Sequence, residues 1–251
     1  MIEIDNDQYL RERIQPIPGD LLYLVLSDLL LALQNLLPTD VSRVLDYGSG
    51  GSPYRSLFGN CIYHRADLAG QDLDYQYGLD SRLPVSAGGY GLVLSTQVLE
   101  HVEDPTLYLM ECHRILAPNG RLLLTTHGIF EDHACPYDYW RWTTFGLQKL
   151  IEGNGFKIES SVKVTTGPRA VMFLAERASG RLELAASGLY TRLLLFSLRL
   201  MRRFGTRQLH EFGTRRLHQM ADKDFAGNRV VDAKEVGHGT YIGVAMLARR
   251  V

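Results

Sequence analysis

Val44-Leu45-Asp46-Tyr47-Gly48-Ser49-Gly50-Gly51 decides the fold of this chain. An apolar β run ends in an acid, and three glycines then make the turn. Glycine has no side chain to clash and tolerates positive φ, so such a turn lets backbone pass close to a ligand. At the carboxyl end of a parallel strand, it lies where nucleotide-like cofactors bind in open α/β sheets. A second acid, Asp67, follows Asp46 by 21 residues. At about that distance past a glycine turn, a strand-end carboxylate can accept from both hydroxyls of a ribose.

Outward from the turn, strands and helices alternate. Arg43–Asp46 and Cys61–Ala66 read as strands, and Tyr54–Phe58 reads as the start of a helix. Gly91–Ser95 is a further apolar run. Asp104-Pro105 opens a helix through Leu116, with proline in its first turn. Pro118-Asn119-Gly120 is a turn before a strand over 121–126; Thr143–Gly153 is helical, and Gly155-Phe156 begins another strand. Short apolar strands separated by helices predict a parallel, doubly wound sheet.

The chain has 251 residues, 45% hydrophobic and 22% charged, with a formal charge of −1. That is the composition of one large α/β domain, with no global pull toward nucleic acid or anionic membrane. Cys61, Cys112 and Cys135 form no Cys-x-x-Cys pair, which argues against a disulfide framework or a cysteine zinc site and for a reducing cytosol. Glu3, Asp5 and Asp7 precede any apolar run, so the N-terminus does not read as a signal peptide. Leu21–Leu37 is strongly apolar but carries Asp28, Gln34 and Asn35, and is expected to be a core-packed helix and not a membrane span.

Five elements together resemble the class I S-adenosylmethionine-dependent methyltransferases, within them the type 11 methyltransferase domains. They are Val44–Gly51; Asp67; Asp80 before Leu83-Pro84; Tyr90–Val102 with its Leu99-Glu100-His101; and Ile115–Leu124. Gly155-Phe156 and Thr240–Arg249 fit as the sixth and seventh strands, so the resemblance covers residues 40–176 and the last dozen. It implies a Rossmann-like α/β fold with a seven-stranded sheet, order 3-2-1-4-5-7-6, the last strand antiparallel. The expected organisation is one methyltransferase domain over 1–251. A helical segment (1–38) leads into a cofactor core (40–176), a basic helical insertion (177–235) and a last strand (236–251).

The resemblance implies S-adenosylmethionine as the cofactor, contacted by Asp46, Gly48, Gly50, Asp67, Asp80 and Gln97. Asp46 is expected to accept from its ammonium and Asp80 from its adenine amino group. A dinucleotide is disfavoured because no third glycine follows Gly50-Gly51 at the required step, and an acid before the turn repels pyrophosphate. In some relatives an acid three residues before Glu-His accompanies a divalent metal. Here Gln97 stands at that place, and Glu100 and His101 are adjacent, so no metal is expected.

Methyl transfer asks the enzyme to position a nucleophile and deprotonate it. His127 and His101 are the candidate bases. The stretch His133–Thr143 holds both tryptophans of the chain, and Trp140, Arg141 and His133 are the candidate acceptor contacts. Aromatics flanking an arginine suit a stacking wall for a sugar or planar acceptor; equally, Arg141 pairs with Asp138 and merely packs the loop.

Residues 181–220 carry eight arginines against two glutamates, and Phe204–Glu211 is nearly repeated by Phe212–Gln219. This basic amphipathic segment fits a lid, a homodimer contact or an anionic membrane surface. The expected function is methylation, on oxygen, of a small molecule or a glycan such as a lipid-linked sugar. The alternative is a non-catalytic S-adenosylmethionine-binding scaffold. Nucleic acid is not an expected partner, because Ser95-Thr96-Gln97-Val98 replaces any Asn-Pro-Pro-Tyr-type motif. The expected location is the cytoplasm, with the inner membrane face left open by the basic segment.

Overall fold

A computed structural model of the protein describes residues 6–133, 137–185, 207–235 and 239–251. Its centre is a sheet of β1 (Arg43–Tyr47), β2 (Ile62–Asp67), β3 (Tyr75–Gln76), β4 (Tyr90–Thr96), β5 (Leu116–His127), β6 (Phe156–Thr166), β7 (Val230–Asp232) and β8 (Tyr241–Arg250). The order is β3-β2-β1-β4-β5-β8-β6-β7. β1 through β5 pair in parallel, while β8 runs antiparallel between β5 and β6. The expected seven-stranded order is therefore present, with one addition. β7 comes from the insertion and pairs antiparallel with β6 at the edge.

Strand residues alternate between two packed faces, as a period of two requires. Leu92 and Leu94 of β4 meet Leu29, Leu33 and Leu36 of helix α2 (Tyr23–Leu36). Between them, Val93 points to the other face, among Tyr108, Leu109 and Ile115 of α3 (Pro105–Ile115) and Leu147 of α4 (Thr144–Gly153). Both faces of the central strands are thus covered, which is why they read as continuous apolar runs. Helix starts follow side-chain caps: Asp104 accepts from Thr106 N and Leu107 N, and Thr143 from Gly146 N.

The apolar helix α2 packs on the sheet, and its Asp28 shows why it does not behave as a membrane span. Buried Asp28 accepts from buried Arg169 at 2.7 and 3.0 Å and from Arg229 at 2.7 Å. Arg169 lies on α5 (Gly167–Ala185) and also pairs at 2.9 Å with Asp222 of α6 (Arg207–Asp224). Two charges out of water need such partners on every side. The network ties α5, which runs on into the 177–235 segment, and α6 within it to α2. Tyr23, Val25, Ala170, Phe173 and Ala221 pack beside it. Among the described residues no helix is long and apolar enough to cross a membrane. The whole apolar run Leu189–Met201 and the first residues of the repeated motif lie outside the described residues.

Two expectations need correction. Tyr54–Phe58 is only a single 3₁₀ turn, Arg55–Phe58, because Pro53 precedes it and Gly59, at φ 53°, ends it. Pro118-Asn119-Gly120 is not a separate turn. It forms an irregularity inside β5, where the pairing with β4 shifts between Tyr90 and Leu92 and Asn119 adopts φ 61°.

Candidate active site

A cavity of about 570 Å³ opens at the carboxyl ends of β1 and β4, where the strand order reverses. The glycine turn forms its floor. Gly48 has φ 79°, and a β-carbon there would lie 2.5 Å from Val98 Cγ2. Only glycine allows this turn to sit against the loop after β4. Ala66 O accepts from Gly48 N at 2.9 Å and from Ser49 N at 3.0 Å, so β2 holds the turn in place.

Asp67 lines the cavity and anchors the same turn, accepting from Gly50 N at 2.6 Å and from Leu68 N at 2.7 Å. A carboxylate has about four acceptor sites, so capacity remains for a diol. Gln97 also lines the cavity; its Nε2 donates to Thr125 Oγ1 at 3.0 Å, and its backbone holds φ 56°. Arg65, which sequence reasoning missed, clamps the turn from outside through Gly50 O at 2.9 Å and Ser52 Oγ at 2.8 Å.

Two expected cofactor contacts stand elsewhere. Asp46 is buried behind the turn and does not line the cavity; its carboxylate accepts from Tyr63 Oη at 2.5 Å, with Ser52 alongside. Burial pushes its carboxyl up to about 6. It supports the turn from behind. Asp80 is exposed and caps its own turn by accepting from Arg82 N at 3.2 Å, while Leu79 and Ser81 line the cavity beside it. The apolar wall beyond Asp67 is made by Leu68, Tyr77, Leu79 and Val98.

Helix α1 (Asn6–Ile14) reaches over the opposite side. Tyr9 and Arg13 line the cavity, and the Tyr9 hydroxyl lies 3.5 Å from where a Gly50 β-carbon would be. Nothing in the sequence marked these two residues, since α1 carries no motif.

The far end of the cavity is polar. His101, His127 and His133 all line it, and their rings meet edge to face, His133 standing 4.9 Å from each of the others. Behind them is Glu100, fully buried, whose Oε2 accepts from Thr126 Oγ1 at 2.8 Å and whose Oε1 lies 3.2 Å from His127 Nε2. Burial pushes the Glu100 carboxyl up to about 7 and the His127 imidazole down to about 2. His101 Nδ1 is 2.6 Å from Tyr137 O, so its ring is fixed by the loop it faces. His127 stacks on Phe130 at 4.1 Å.

Trp140 and Arg141, expected to touch the acceptor, do not line the cavity. Arg141 forks onto Asp138 at 2.6 and 2.5 Å and donates to the carbonyls of Phe130, Glu131 and Trp140. Its donors are spent on the loop, and its guanidinium holds the Asp138 carboxyl well below the usual carboxylate range. Trp140 Nε1 donates to Val102 O at 2.8 Å, and its ring stacks on Trp142 at 5.6 Å. The packing role is the one realised. His133, Tyr137 and Tyr139 from the same stretch do line the cavity.

A family model for a methyltransferase domain matches residues 20–160, more than half of the chain. The chain belongs to that family. It is similar to a ubiquinone biosynthesis O-methyltransferase of Cereibacter sphaeroides, 29% identical over 36% of this chain and 43% of the relative. The match thus spans less than half the length of that curated relative.

Among solved structures, an S-adenosylmethionine-dependent methyltransferase of Thermotoga maritima superposes with a TM-score of 0.56 at 13% identity, over 98% of this chain and 95% of that one. Phosphoethanolamine N-methyltransferase 2 of Haemonchus contortus, in complex with S-adenosyl-L-methionine, gives 0.51 at 17% identity, over 98% and 56%.

The chain carries that methyltransferase domain on the fold of S-adenosylmethionine-dependent methyltransferases. The residues fit that cofactor: Gly48 and Gly50 line the cavity without side chains, and Asp67 sits in the wall with acceptor capacity to spare.

Proposed function

We propose that the enzyme methylates a hydroxyl oxygen on a small, largely apolar acceptor. The observation that carries this reading is the polar cluster of Glu100, His127 and His133 at one end of a cavity whose other walls are mainly apolar. Leu22, Val25 and Leu26 of α2 and Phe130 suit an apolar body, and the cluster suits the one group that must lose a proton. Trp140 and Arg141 would have made a sugar-stacking wall, but neither lines the cavity and their donors are taken by Val102 O and by the loop itself, which favours a small molecule over a glycan. The similarity to an O-methyltransferase acting in ubiquinone biosynthesis supports oxygen as the atom methylated.

When bound, S-adenosylmethionine supplies an electrophilic methyl group on a sulfonium sulfur. The chain's own work is positioning. The Gly48–Gly50 backbone, Asp67 and Gln97 would hold the cofactor on the floor, and the histidine end would hold the acceptor oxygen opposite. The hydroxyl proton passes from the cluster end of the cavity to solvent water, because burial pushes the His127 imidazole too low for it to hold that proton. Arg177 of α5 reaches the cavity wall and pairs with Glu131 from the loop after β5. That contact favours the lid reading of the 177–235 segment over a membrane or dimer contact.

The test is transfer of labelled methyl to matched series of phenols, aliphatic alcohols, amines and free sugars, with products identified by mass spectrometry. Methyl ethers of apolar hydroxyl compounds are expected. Transfer confined to amines, or to sugars, overturns the reading.

A further inference from the structure

We propose that Glu100, His127 and His133 form a binding site for one divalent transition-metal ion at the acceptor end of the cavity. Each of the three offers one ligand atom, and these atoms all lie within 4.8 Å of one another. The tightest pair is Glu100 Oε1 and His127 Nε2 at 3.2 Å. With metal–ligand bonds of roughly 2.0–2.2 Å, two neighbouring ligands on one tetrahedral or octahedral ion stand about 2.8–3.6 Å apart. The Glu100–His127 spacing is that of neighbouring ligands, and His133 stands within 4.8 Å of both ligand atoms.

The contact is also not a hydrogen bond. Glu100 Oε1 and His127 Nδ1 are buried without a hydrogen-bond partner among the described residues. A fully buried carboxylate oxygen with nothing donating to it costs on the order of 1–3 kcal/mol or more, so such an atom calls for a cation or a proton.

The surrounding contacts aim the ligand atoms. Thr126 Oγ1 donates to Glu100 Oε2, which leaves Oε1 as the forward oxygen. His133 Nδ1 lies 3.2 Å from Glu131 O, which leaves Nε2 forward. Such outer partners are how proteins orient metal-bound carboxylates and imidazoles. His127 is held by its stack on Phe130. Two imidazoles and one carboxylate select a first-row divalent ion such as zinc, cobalt, iron or manganese over magnesium or calcium, which prefer all-oxygen shells.

The expectation of a metal-free site weighed only Glu100 against its neighbours in sequence. Gln97 is indeed committed to Thr125, and His101 to Tyr137. The fold supplies two other histidines, from the end of β5 and the loop beyond it. The remaining positions of the ion face the cavity. There it would bind the acceptor hydroxyl, whose proton is released to solvent water. The oxygen then forms its bond to the methyl carbon as the carbon–sulfur bond breaks, the electron pair staying on sulfur. That role rests on the acceptor reading above; the ion site itself does not.

The experiment is titration of chelator-treated, full-length protein with cobalt(II), read by visible absorption and by calorimetry, with no cofactor or acceptor present. One ion per chain is expected, with ligand-field bands of a nitrogen–oxygen site. His133→Ala and Glu100→Gln should each weaken binding by about 10–100-fold, while His113→Ala, outside the cavity, leaves it unchanged. His133 has a 34% exposed side chain, so its variant keeps the core if Glu100→Gln fails to fold, as circular dichroism will report. No saturable cobalt binding, or affinity untouched by His133→Ala, overturns the site. Loss of the hydroxyl-acceptor reading leaves this result standing, and a metal-free cluster leaves the methyl-transfer products to be judged on their own.

Discussion

The two ends of the cavity are built from different materials. The cofactor end is backbone: a glycine turn, amides held by Ala66 O, and a single carboxylate, Asp67, fixed by the turn it borders. The acceptor end is side chains gathered from separate loops, with buried polar atoms left without hydrogen bonds. The first is rigid because main-chain geometry leaves it no alternative. The second holds its shape through packing and through Arg141, which ties carbonyls 130, 131 and 140 to Asp138. Changes at the first end should remove the cofactor, whereas changes at the second should spare cofactor affinity and alter transfer.

The sharpest way to break this contrast is Gly48→Ala. The substituent would sit 2.5 Å from Val98 at φ 79°, so either the turn or the loop after β4 must move. Affinity for S-adenosylhomocysteine is expected to fall by more than about 100-fold in calorimetry, equivalent to roughly 3 kcal/mol. A near-normal affinity would show that the turn is not the cofactor's seat.

Asp46→Asn comes next and tests the buried support of the same end. The folded carboxyl, at about 6, lies above its ordinary 3.8. The folded state therefore holds the proton more tightly than the unfolded chain. Its contribution to stability is fully present below the ordinary value and is lost as pH rises through the folded one. The loss should be on the order of 3 kcal/mol across that window. Urea unfolding at pH 4 and pH 7 should show the pH dependence of stability altered in the variant by that amount, the share that Asp46 contributes in the parent. Equal slopes in both proteins count against it.

How much of each end was legible follows from the same contrast. The cofactor end could be read because strand, acid, glycines and Asp67 are close in sequence and their spacing is set by one βαβ unit. The sheet order was legible for that reason too, while β7 was not, being three residues at the end of an irregular insertion. Asp46 and Asp80 look alike in sequence to Asp67, and only side-chain direction separates them. At the acceptor end, Trp140 and Arg141 have the residue types of a binding wall, but their polar groups are consumed by Val102 O and by the loop itself. Glu100, His127 and His133 are joined only by folding, so no spacing could announce their cluster.

Asp67→Ala removes a lining carboxylate and also frees Gly50 N. Cofactor affinity should drop by about 30-fold, near 2 kcal/mol, in the range of a charge-assisted hydrogen bond. Methylthioadenosine, which keeps the ribose, should lose as much as S-adenosylhomocysteine. A loss seen with only one of them would move Asp67 off the ribose. Arg141→Lys probes the other end, since an ammonium cannot fork onto Asp138 and also reach three carbonyls. Methyl transfer should fall by about tenfold with cofactor affinity unchanged. Weakened cofactor binding in this variant would mean that the two ends are coupled.

Asp80→Ala should have the smallest effect and is the most discriminating between acids. The Asp80 carboxylate is exposed and accepts from Arg82 N, and it does not line the cavity that Leu79 and Ser81 line. Removing it costs one exposed turn cap, under about 1 kcal/mol, because water replaces the lost acceptor. Affinity for S-adenosylhomocysteine should change by less than about twofold. A loss comparable to that of Asp67→Ala would require the 78–81 turn to swing inward when the cofactor binds. The adenine end of the site would then be assembled by the ligand, and the rigidity assigned to the whole cofactor end would belong to the glycine turn alone.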